Sequence, residues 1–328
     1  METDSMKATA VASSNIAFIK YWGKRDTALI LPMNASISMT LDDGVSTTTT
    51  VEFSGSLAQD ELVLNYAPTG GTKLERVSRF LDILRQERGI STRAKVVSIN
   101  TFPTGSGIAS SASGFAALAV AASGALSLSK TPEELSALAR QGSGSACRSV
   151  IGGFSEWDDT YAVQLQPETH WPELRDVILL VSAEEKTISS RQGMEATVET
   201  SALYKERIKN LPIRLGTVRD AIADKDFSTL STSIMEDSDE LHACIADTTP
   251  SVRYLTEDSL RIIEAVKRLN SDGEMVAAYT FDAGPNAHII TKEEHLPKIL
   301  EMIGRLGGFP HLVSGLGEGA RLIDDHLF

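Results

Sequence analysis

The pattern of hydrophobic and polar positions predicts strands and a helix in the first part of the chain. Residues 46–53, STTTTVEF, are rich in β-branched side chains, and residues 94–100, AKVVSIN, form a short apolar run. Both compositions favour β-strands. Between them, apolar residues recur every three or four positions from Leu74 to Leu84. That spacing predicts a helix, and Gly89 is its expected end.

Two further helices and a strand are expected between residues 110 and 183. Residues 110–125 are small and apolar on nearly every side, which predicts a buried helix. The segment TPEELSALARQG places the N-cap candidate Thr131 before a proline and two acidic residues, an order typical of a helix start. Residues 177–183, VILLVSA, form a continuous apolar run that predicts a buried strand.

From about residue 186 the pattern changes to long amphipathic helices. These are predicted at 190–209, 213–223, 226–246 and 256–269. They are followed by strands within 275–281 and 287–291, a helix around 293–305 and a closing strand near 320–324. A strand-rich first half and a helix-rich second half predict the α+β class with two domains, residues 1–185 and 186–328.

Composition and charge weigh against several kinds of partner. The chain has 328 residues, of which 42% are hydrophobic and 23% charged, and its net charge is −13. An acidic protein of this kind is not expected to bind nucleic acid or an anionic membrane. There is no run of 18 apolar residues and no apolar segment of the signal-peptide type at the N-terminus. Cys147 and Cys244 form no disulfide framework, so we expect a cytoplasmic protein.

Residues 100–118, NTFPTGSGIASSASGFAAL, combine a glycine- and serine-rich loop with the start of a helix. Unpaired N–H groups at a helix start can bind phosphate, and the glycines Gly105 and Gly107 let the backbone approach it. The segment lacks the Gly-Lys-Ser/Thr of a Walker A loop, and Ser110 stands where a dinucleotide fingerprint has its third glycine. Taken alone, it fits a tight turn and a phosphate cradle equally well.

Three other segments carry candidate chemistry. Residues 13–26 interleave the basic Lys20 and Lys24 with aromatic residues. Residues 140–154 place Arg148 in a second glycine- and serine-rich turn, where a guanidinium could bind phosphate in two places at once. Residues 279–289 put Asp282 between an apolar strand and a turn. Each also has an ordinary structural interpretation, as a solvated basic turn, a connector or a turn cap.

Seven segments together resemble a known family. In chain order they are NIAFIKYWGKRD, LPMNASISMTL, FPTGSGIASSASGFAAL, GSGSACRSVIGGFSEW, SSRQGM, VETSALYKERI and YTFDAGPNAHI, and they span nearly the whole chain. They resemble the diphosphomevalonate decarboxylase family of the GHMP kinase superfamily. The loop alone indicates only the superfamily, whereas the YWGK, GSGSACR and DAGPN segments indicate the decarboxylase branch.

The resemblance implies a fold and an activity. The implied fold is the two-domain GHMP kinase fold, with a ribosomal-protein-S5-domain-2-like N-terminal domain and a ferredoxin-like C-terminal domain. The implied reaction is ATP-dependent decarboxylation of mevalonate 5-diphosphate to isopentenyl diphosphate, through phosphorylation of the 3-hydroxyl with Mg²⁺ and ATP. Members are commonly homodimers, so a homodimer is expected.

The resemblance also implies the roles of individual residues. Asp282 corresponds to the catalytic aspartate and Lys20 to the lysine beside it. Substrate binding is implied for Tyr21, Trp22, Gly23, Lys24, Arg76, Ser143, Gly144, Ser145, Ala146, Cys147, Arg148, Ser190, Arg191 and Thr200. ATP binding is implied for Pro103, Thr104, Gly105, Ser106, Gly107, Ile108, Ala109, Ser110, Ser111 and Ser113, with Ser110 also a candidate ligand of Mg²⁺.

Departures from the family pattern leave alternatives open. The loop reads Thr-Gly-Ser-Gly-Ile where the family usually has Thr-Ala-Ala-Gly-Leu, and Ala35 stands where asparagine or serine is usual. The alternative substrates are mevalonate 5-phosphate and mevalonate 3,5-bisphosphate. The alternative functions are a small-molecule kinase of the superfamily that does not decarboxylate and a non-catalytic nucleotide- or metabolite-binding protein.

Overall fold

The structure is a computed structural model that describes residues 6–102, 110–182 and 188–328. Its strands are β1 (Lys7–Ser13), β2 (Asn15–Ile19), β3 (Lys24–Asp26), β4 (Leu31–Pro32), β5 (Ser36–Thr40), β6 (Ser46–Ser54), β7 (Glu61–Leu64), β8 (Ala67–Pro68), β9 (Arg93–Asn100), β10 (Phe154–Trp157), β11 (Ala162–Gln166), β12 (Leu174–Leu179), β13 (Ala277–Phe281), β14 (Ala287–Lys292), β15 (His311–Ser314) and β16 (Arg321–Ile323). Its α-helices are α1 (Gly71–Arg88), α2 (Ser110–Ala125), α3 (Pro132–Gly142), α4 (Ala146–Ser149), α5 (Ser190–Thr200), α6 (Ala202–Asp224), α7 (Phe227–Ala246), α8 (Glu257–Leu269) and α9 (Leu296–Arg305). Short 3₁₀ turns lie at Asp43–Val45 and Glu293–His295.

A six-stranded sheet in the order β16-β1-β6-β9-β7-β8 packs against α2. The helix can lie close to the strands because its buried side is mostly alanine. At Gly124 there is no room for a side chain: a Cβ there would lie 2.8 Å from the side chain of Leu322 and 3.2 Å from Cβ of Ala8. In a second sheet, β11-β10-β5-β2, the edge strand β2 ends at Ile19, directly before Lys20.

A third sheet, β13-β14-β12-β15, has helices on both faces. Successive residues of a strand point to opposite faces. Thus Ile178 belongs to the cluster with α6 and α7, whereas Val177 and Leu179 belong to the cluster with α8 and α9. This arrangement explains the continuous apolar run of the predicted strand, since both faces are buried.

Most of the predicted elements are confirmed. Strands β6 and β9, the helix α2 and the helix that ends at Gly89 all occur, and Gly89 adopts a left-handed conformation with φ of 73°. Thr131 accepts a hydrogen bond from the backbone N–H of Glu134, as expected of an N-cap. The apolar strand is displaced, since β12 ends at Leu179 instead of 183.

The predicted break between the helices at 190–209 and 213–223 is wrong. The chain breaks at Ser201, whose hydroxyl accepts from the N–H of Tyr204 and donates to Asp247 Oδ2. Pro212 lies inside α6. The residues around it remain helical because Leu211 and Leu215 are buried against neighbouring elements, which outweighs the local cost of proline.

Strand pairing joins the two halves of the chain. β16, near the C-terminus, pairs with β1, and β12 pairs with β14 and β15. The division into residues 1–185 and 186–328 stays a prediction. No helix within the described ranges has the length and hydropathy that crossing a bilayer requires.

Candidate active site

A cleft of about 990 Å³ opens beside the ends of β2 and β13. Its walls come from α1, α2, the turn between α3 and α4, the start of α5 and one face of the six-stranded sheet. Most of the predicted site residues in the described part of the chain line this cleft: Lys20, Tyr21, Trp22, Lys24, Arg76, Ser110, Ser111, Ser143, Gly144, Ser145, Arg148, Ser190, Arg191 and Asp282.

Lys20 and Asp282 meet at the cleft. Lys20 follows β2 and Asp282 follows β13, and Lys20 Nζ donates to Asp282 Oδ1 at 2.8 Å. The lysine side chain is 3% exposed and the aspartate side chain 36% exposed. The cation is therefore buried beneath the carboxylate, and the carboxylate keeps a face that a ligand can reach.

Arg148 is a buried cation that forms no salt bridge within 4 Å among the described residues, although the charge of Asp282 acts on it. It lies on α4 and on the cleft wall, 3% exposed. Its guanidinium donates to Ser36 Oγ at 2.6 Å, to Ser38 Oγ at 3.1 Å and to Asn15 Oδ1 at 3.2 Å. Burial is the main cause that lowers the pKa of this side chain. Because a buried charge is costly without a counter-charge, this position favours an anionic ligand.

Lys24, Arg76 and Arg191 are three of the five further cations that line the cleft. Burial and then the charge of Arg191 lower the pKa of both Lys24 and Arg76. Arg76 is held in place by a 2.7 Å hydrogen bond to the carbonyl of Gly142 and lies over the ring of Phe115. We call Lys24, Arg76 and Arg191 the cationic rim. It concentrates positive charge in an acidic chain, which suits a multiply charged anion.

Tyr21 supplies a hydroxyl to the same wall. Burial raises the pKa of Tyr21, so the hydroxyl keeps its proton and can donate. Its oxygen is buried and has no hydrogen-bond partner among the described residues. The ring packs against Trp157 with 4.6 Å between centroids. Gly144 must remain small, since a Cβ there would lie 3.0 Å from the tyrosine ring.

The start of α5 adds serines and Arg191. Ser189 is the N-cap and forms a capping box with Gln192. Ser190 is the first helical residue, and both serines line the cleft. Backbone N–H groups at a helix start favour anions, so this end of α5 reinforces the cationic rim.

The start of α2 lies across the cleft. Ser110 and Ser111 line it, and Ser111 Oγ lies 3.2 Å from Ser143 Oγ. The predicted ATP-binding residues Pro103, Thr104, Gly105, Ser106, Gly107, Ile108 and Ala109 lie outside the described residues. Ser113 differs from the expectation. It is fully buried, and its hydroxyl bonds to Thr47 Oγ1 at 2.7 Å, so it faces the sheet instead of the cleft.

Other predicted substrate residues do not present side chains to the cleft. Thr200 is exposed at the end of α5 and accepts from the N–H of Thr249 at 2.9 Å, which places it outside the cleft lining. Ala146 and Cys147 are fully buried, and burial raises the pKa of the Cys147 thiol to about 12. Gly23 has φ of 83° and shapes the turn after Trp22.

One wall of the cleft was missed by sequence reasoning. Thr49, Ser98 and Asn100 reach it from β6 and β9, and Lys73 reaches it from α1. Ser98 and Asn100 share a face of their strand with Val96, since residues two apart point the same way. That alternation was the available signal, but it does not reveal which face is a cleft.

Comparison with known proteins identifies the family. Residues 12–165 match the model of the diphosphomevalonate decarboxylase-like N-terminal domain, and residues 176–312 match that of the mevalonate 5-diphosphate decarboxylase C-terminal domain. The diphosphomevalonate decarboxylase of Ganoderma lucidum is 42% identical over 324 residues, which cover 90% of this chain and 81% of that one. The chain belongs to the diphosphomevalonate decarboxylase family, as the sequence resemblance predicted.

Solved structures support the same conclusion. Mevalonate diphosphate decarboxylase from Staphylococcus aureus has a TM-score of 0.92 and 37% identity, and the match covers 97% of this chain and 98% of that one. A structure described as MDDEF in complex with MVAPP, AMPPCP and magnesium has a TM-score of 0.91 and 36% identity, covering 97% and 99%. The predicted two-domain α+β fold is confirmed.

Proposed function

We propose that this protein catalyses the ATP-dependent decarboxylation of mevalonate 5-diphosphate to isopentenyl diphosphate, with release of ADP, phosphate and CO₂. The observation that carries the proposal is the contact between Lys20 and Asp282 at a cleft that also holds Arg148 and the cationic rim. A carboxylate, a diphosphate and a nucleotide all bring negative charge, and these cations lie where such groups would enter. The names of the related proteins support the choice of substrate.

Asp282 acts on the 3-hydroxyl. Its carboxylate holds the hydroxyl in line with the γ-phosphorus and accepts the proton as the new O–P bond forms and the bond to ADP breaks. A tertiary alcohol is crowded, so much of the acceleration comes from this positioning. The buried Lys20 pairs with the carboxylate and balances negative charge on the phosphoryl group.

Decarboxylation follows when the 3-phosphate departs as the leaving group. The C3–O bond breaks, positive charge develops at C3, and the electron pair of the bond between C1 and C2 forms the double bond while CO₂ departs. We assign the substrate carboxylate to Arg148, whose guanidinium donates hydrogen bonds to the neutral hydroxyls of Ser36 and Ser38. Holding that carboxylate keeps C1 aligned with the leaving group.

The cationic rim and the α5 start bind the diphosphate in this proposal. Three cations, with Tyr21 and the serines Ser143, Ser145 and Ser190, provide more donors than a single phosphate requires. This excess favours the diphosphate over mevalonate 5-phosphate. We assign no contact to Thr200, which lies outside the cleft.

ATP occupies the remaining side of the cleft in this proposal. Ser110 and Ser111 at the start of α2 are placed for its phosphates, and Thr49, Ser98 and Asn100 line the wall beyond. Mg²⁺ prefers oxygen ligands, and Ser110 is the cleft hydroxyl that would hold it together with nucleotide phosphates. When bound, Mg²⁺ neutralises charge on those phosphates. A homodimer and a cytoplasmic location stay predictions.

The test measures ADP and CO₂ release by the purified protein with Mg²⁺ and ATP. Mevalonate 5-diphosphate, mevalonate 5-phosphate and mevalonate 3,5-bisphosphate without ATP are compared as substrates. We expect equal amounts of ADP and CO₂ from the diphosphate. Turnover of only one of the other substrates would contradict the choice of substrate, and ADP without CO₂ would identify a kinase. No product from any of the three would overturn the proposed function.

A further inference from the structure

Two adjacent side chains of α7 hold the main chain beside both members of the Lys20–Asp282 pair. Asp237 Oδ2 accepts a hydrogen bond from the backbone N–H of Lys20 at 2.9 Å. Ser238 Oγ accepts one from the backbone N–H of Phe281 at 3.2 Å, and Phe281 directly precedes Asp282. Asp237 is fully buried and Ser238 is 1% exposed. One turn of one helix is therefore bonded to both strand ends that carry the pair.

Asp237 is itself fixed in orientation. Its Oδ1 atom accepts from Arg207 Nη2 at 2.8 Å, and Arg207 is fully buried. Arg207 Nη1 also donates to Glu240 Oε2 at 3.1 Å. With one carboxylate oxygen held by the guanidinium, the other points at the N–H of Lys20. The carbonyl of Lys20 accepts from Asn34 Nδ2 at 2.9 Å, so the peptide units on both sides of this residue are held.

These bonds matter because the sheets do not set the distance between the pair. β2 and β13 belong to different sheets, and no ladder connects them among the described strands. α7 packs against both strands, which makes it the element that spans them. A carboxylate that must meet a hydroxyl and a phosphoryl group loses much of its effect when it is misplaced by about 1 Å.

We propose that Asp237 and Ser238 are positioning residues that set the spacing between Lys20 Nζ and the Asp282 carboxylate. The inference rests on the proposed function, because its effect is expected in the phosphoryl-transfer step. Neither side chain lines the cleft. They act through the main chain of Lys20 and Phe281, so their loss should change turnover while ligand binding is kept.

The decisive comparison is between Ser238→Ala and Ser231→Ala. Ser231 lies on the same helix, is fully buried, and its hydroxyl has no hydrogen-bond partner among the described residues. Both variants remove one buried hydroxyl from α7, but only Ser238→Ala frees the N–H beside Asp282. We expect kcat to fall about tenfold in Ser238→Ala, with KM for mevalonate 5-diphosphate and for ATP within about twofold of wild type. Ser231→Ala should keep the wild-type kcat.

A pair of variants at Asp237 tests the other bond. Asp237→Asn keeps an oxygen that can accept from the N–H of Lys20, whereas Asp237→Ala does not. We expect Asp237→Asn to retain at least about ten times the kcat of Asp237→Ala at equal KM. Equal kcat in the two variants would show that the acceptor has no part in turnover. If neither variant folds, the comparison of the two serines still decides the inference.

Crystal structures of Ser238→Ala and Ser231→Ala separate this inference from the proposed function. We expect the Asp282 carboxylate to move away from Lys20 Nζ in Ser238→Ala and to stay in Ser231→Ala. The inference alone would be overturned if the distance between Lys20 and Asp282 is unchanged in both variants. It would also be overturned if the wild-type protein is active and Ser238→Ala has the same kcat as Ser231→Ala. A wild-type protein without ADP and CO₂ release would overturn the proposed function, while the structures would still test the spacing.

Discussion

Lys20 Nζ lies 2.8 Å from Asp282 Oδ1, although the two residues are 262 positions apart in the chain. The contact joins the ends of β2 and β13, which belong to different sheets. Because Lys20 is buried and Asp282 is partly exposed, the aspartate is the member of the pair that can touch a ligand. The lysine depends on it for a counter-charge.

We expect Asp282→Asn to lower kcat by about 10³-fold, since a positioned general base contributes a factor of this order. Binding of Mg²⁺ and ADP should change by less than about threefold, because the amide keeps the size of the side chain. Release of ADP and CO₂ measures kcat, and isothermal titration calorimetry with ADP measures binding. Asp272→Asn, at an exposed turn, is the control and should keep full activity. Unchanged turnover in Asp282→Asn would remove this residue from its proposed role.

Arg148→Lys should raise KM for mevalonate 5-diphosphate at least about tenfold. Lysine keeps the charge but cannot reproduce the planar set of donors that binds Ser36, Ser38 and a carboxylate together. The matched control is Arg140→Lys. Arg140 is also buried, but it donates to the carbonyls of Thr160 and Leu29 and does not line the cleft. Arg140→Lys should lower the midpoint of thermal unfolding and leave KM unchanged. Equal effects on KM in the two variants would contradict the assignment of Arg148 to the substrate.

The sequence did not predict which side of α2 faces the cleft, because nearly every side of this helix is apolar. The start of α2 at Ser110 was expected, but the helix is small and apolar on nearly every side, so its residue pattern does not show which side faces the sheet. The family resemblance grouped Ser113 with Ser110 and Ser111, whereas in the structure its hydroxyl bonds to Thr47 in the sheet. The same limit applies to β9, whose alternation did not reveal that the face with Ser98 lines a cleft.

The long-range contact between Lys20 and Asp282 was predicted from the family resemblance and not from the pattern of hydrophobic and polar residues. Nothing in the spacing of residues brings Lys20 to Asp282, because that contact depends on how β2 and β13 end in separate sheets. Thr200 lies outside the cleft lining for a local reason. The helix break was predicted beyond residue 209, so the sequence did not indicate that α5 ends at this threonine and directs it to Thr249.

Binding of mevalonate 5-diphosphate should weaken at alkaline pH because of Lys24. Burial and the charge of Arg191 lower the pKa of this lysine, so it loses its proton, and its attraction for an anion, at a lower pH than an ordinary lysine. The dissociation constant should therefore rise as the pH increases toward and through the lowered pKa. In Arg191→Gln the constant should be larger at neutral pH, but its alkaline rise should move to higher pH. Calorimetric titrations between pH 7 and pH 10 measure both effects.

Lys24→Arg is the control for this dependence. An arginine keeps its proton throughout the range, so the alkaline rise in the dissociation constant should be greatly reduced. The assignment to Lys24 would be wrong if the variant kept the full wild-type rise.

His242 should make the protein less stable in mild acid. Burial, and then the charge of Lys20, lower the pKa of this histidine from 6.5 to about 4, and its Nε2 atom is buried without a partner among the described residues. Between these two values the unfolded chain binds a proton that the folded chain does not, so the free energy of unfolding falls as the pH falls. The slope is about 1.4 kcal/mol per pH unit for one group, or roughly 3 kcal/mol across the window. Urea unfolding of wild type and His242→Gln at pH 7.5, 6.5, 5.5 and 4.5 measures it. The variant should lose this part of the pH dependence, and parallel curves for the two proteins would mean that His242 does not contribute to it.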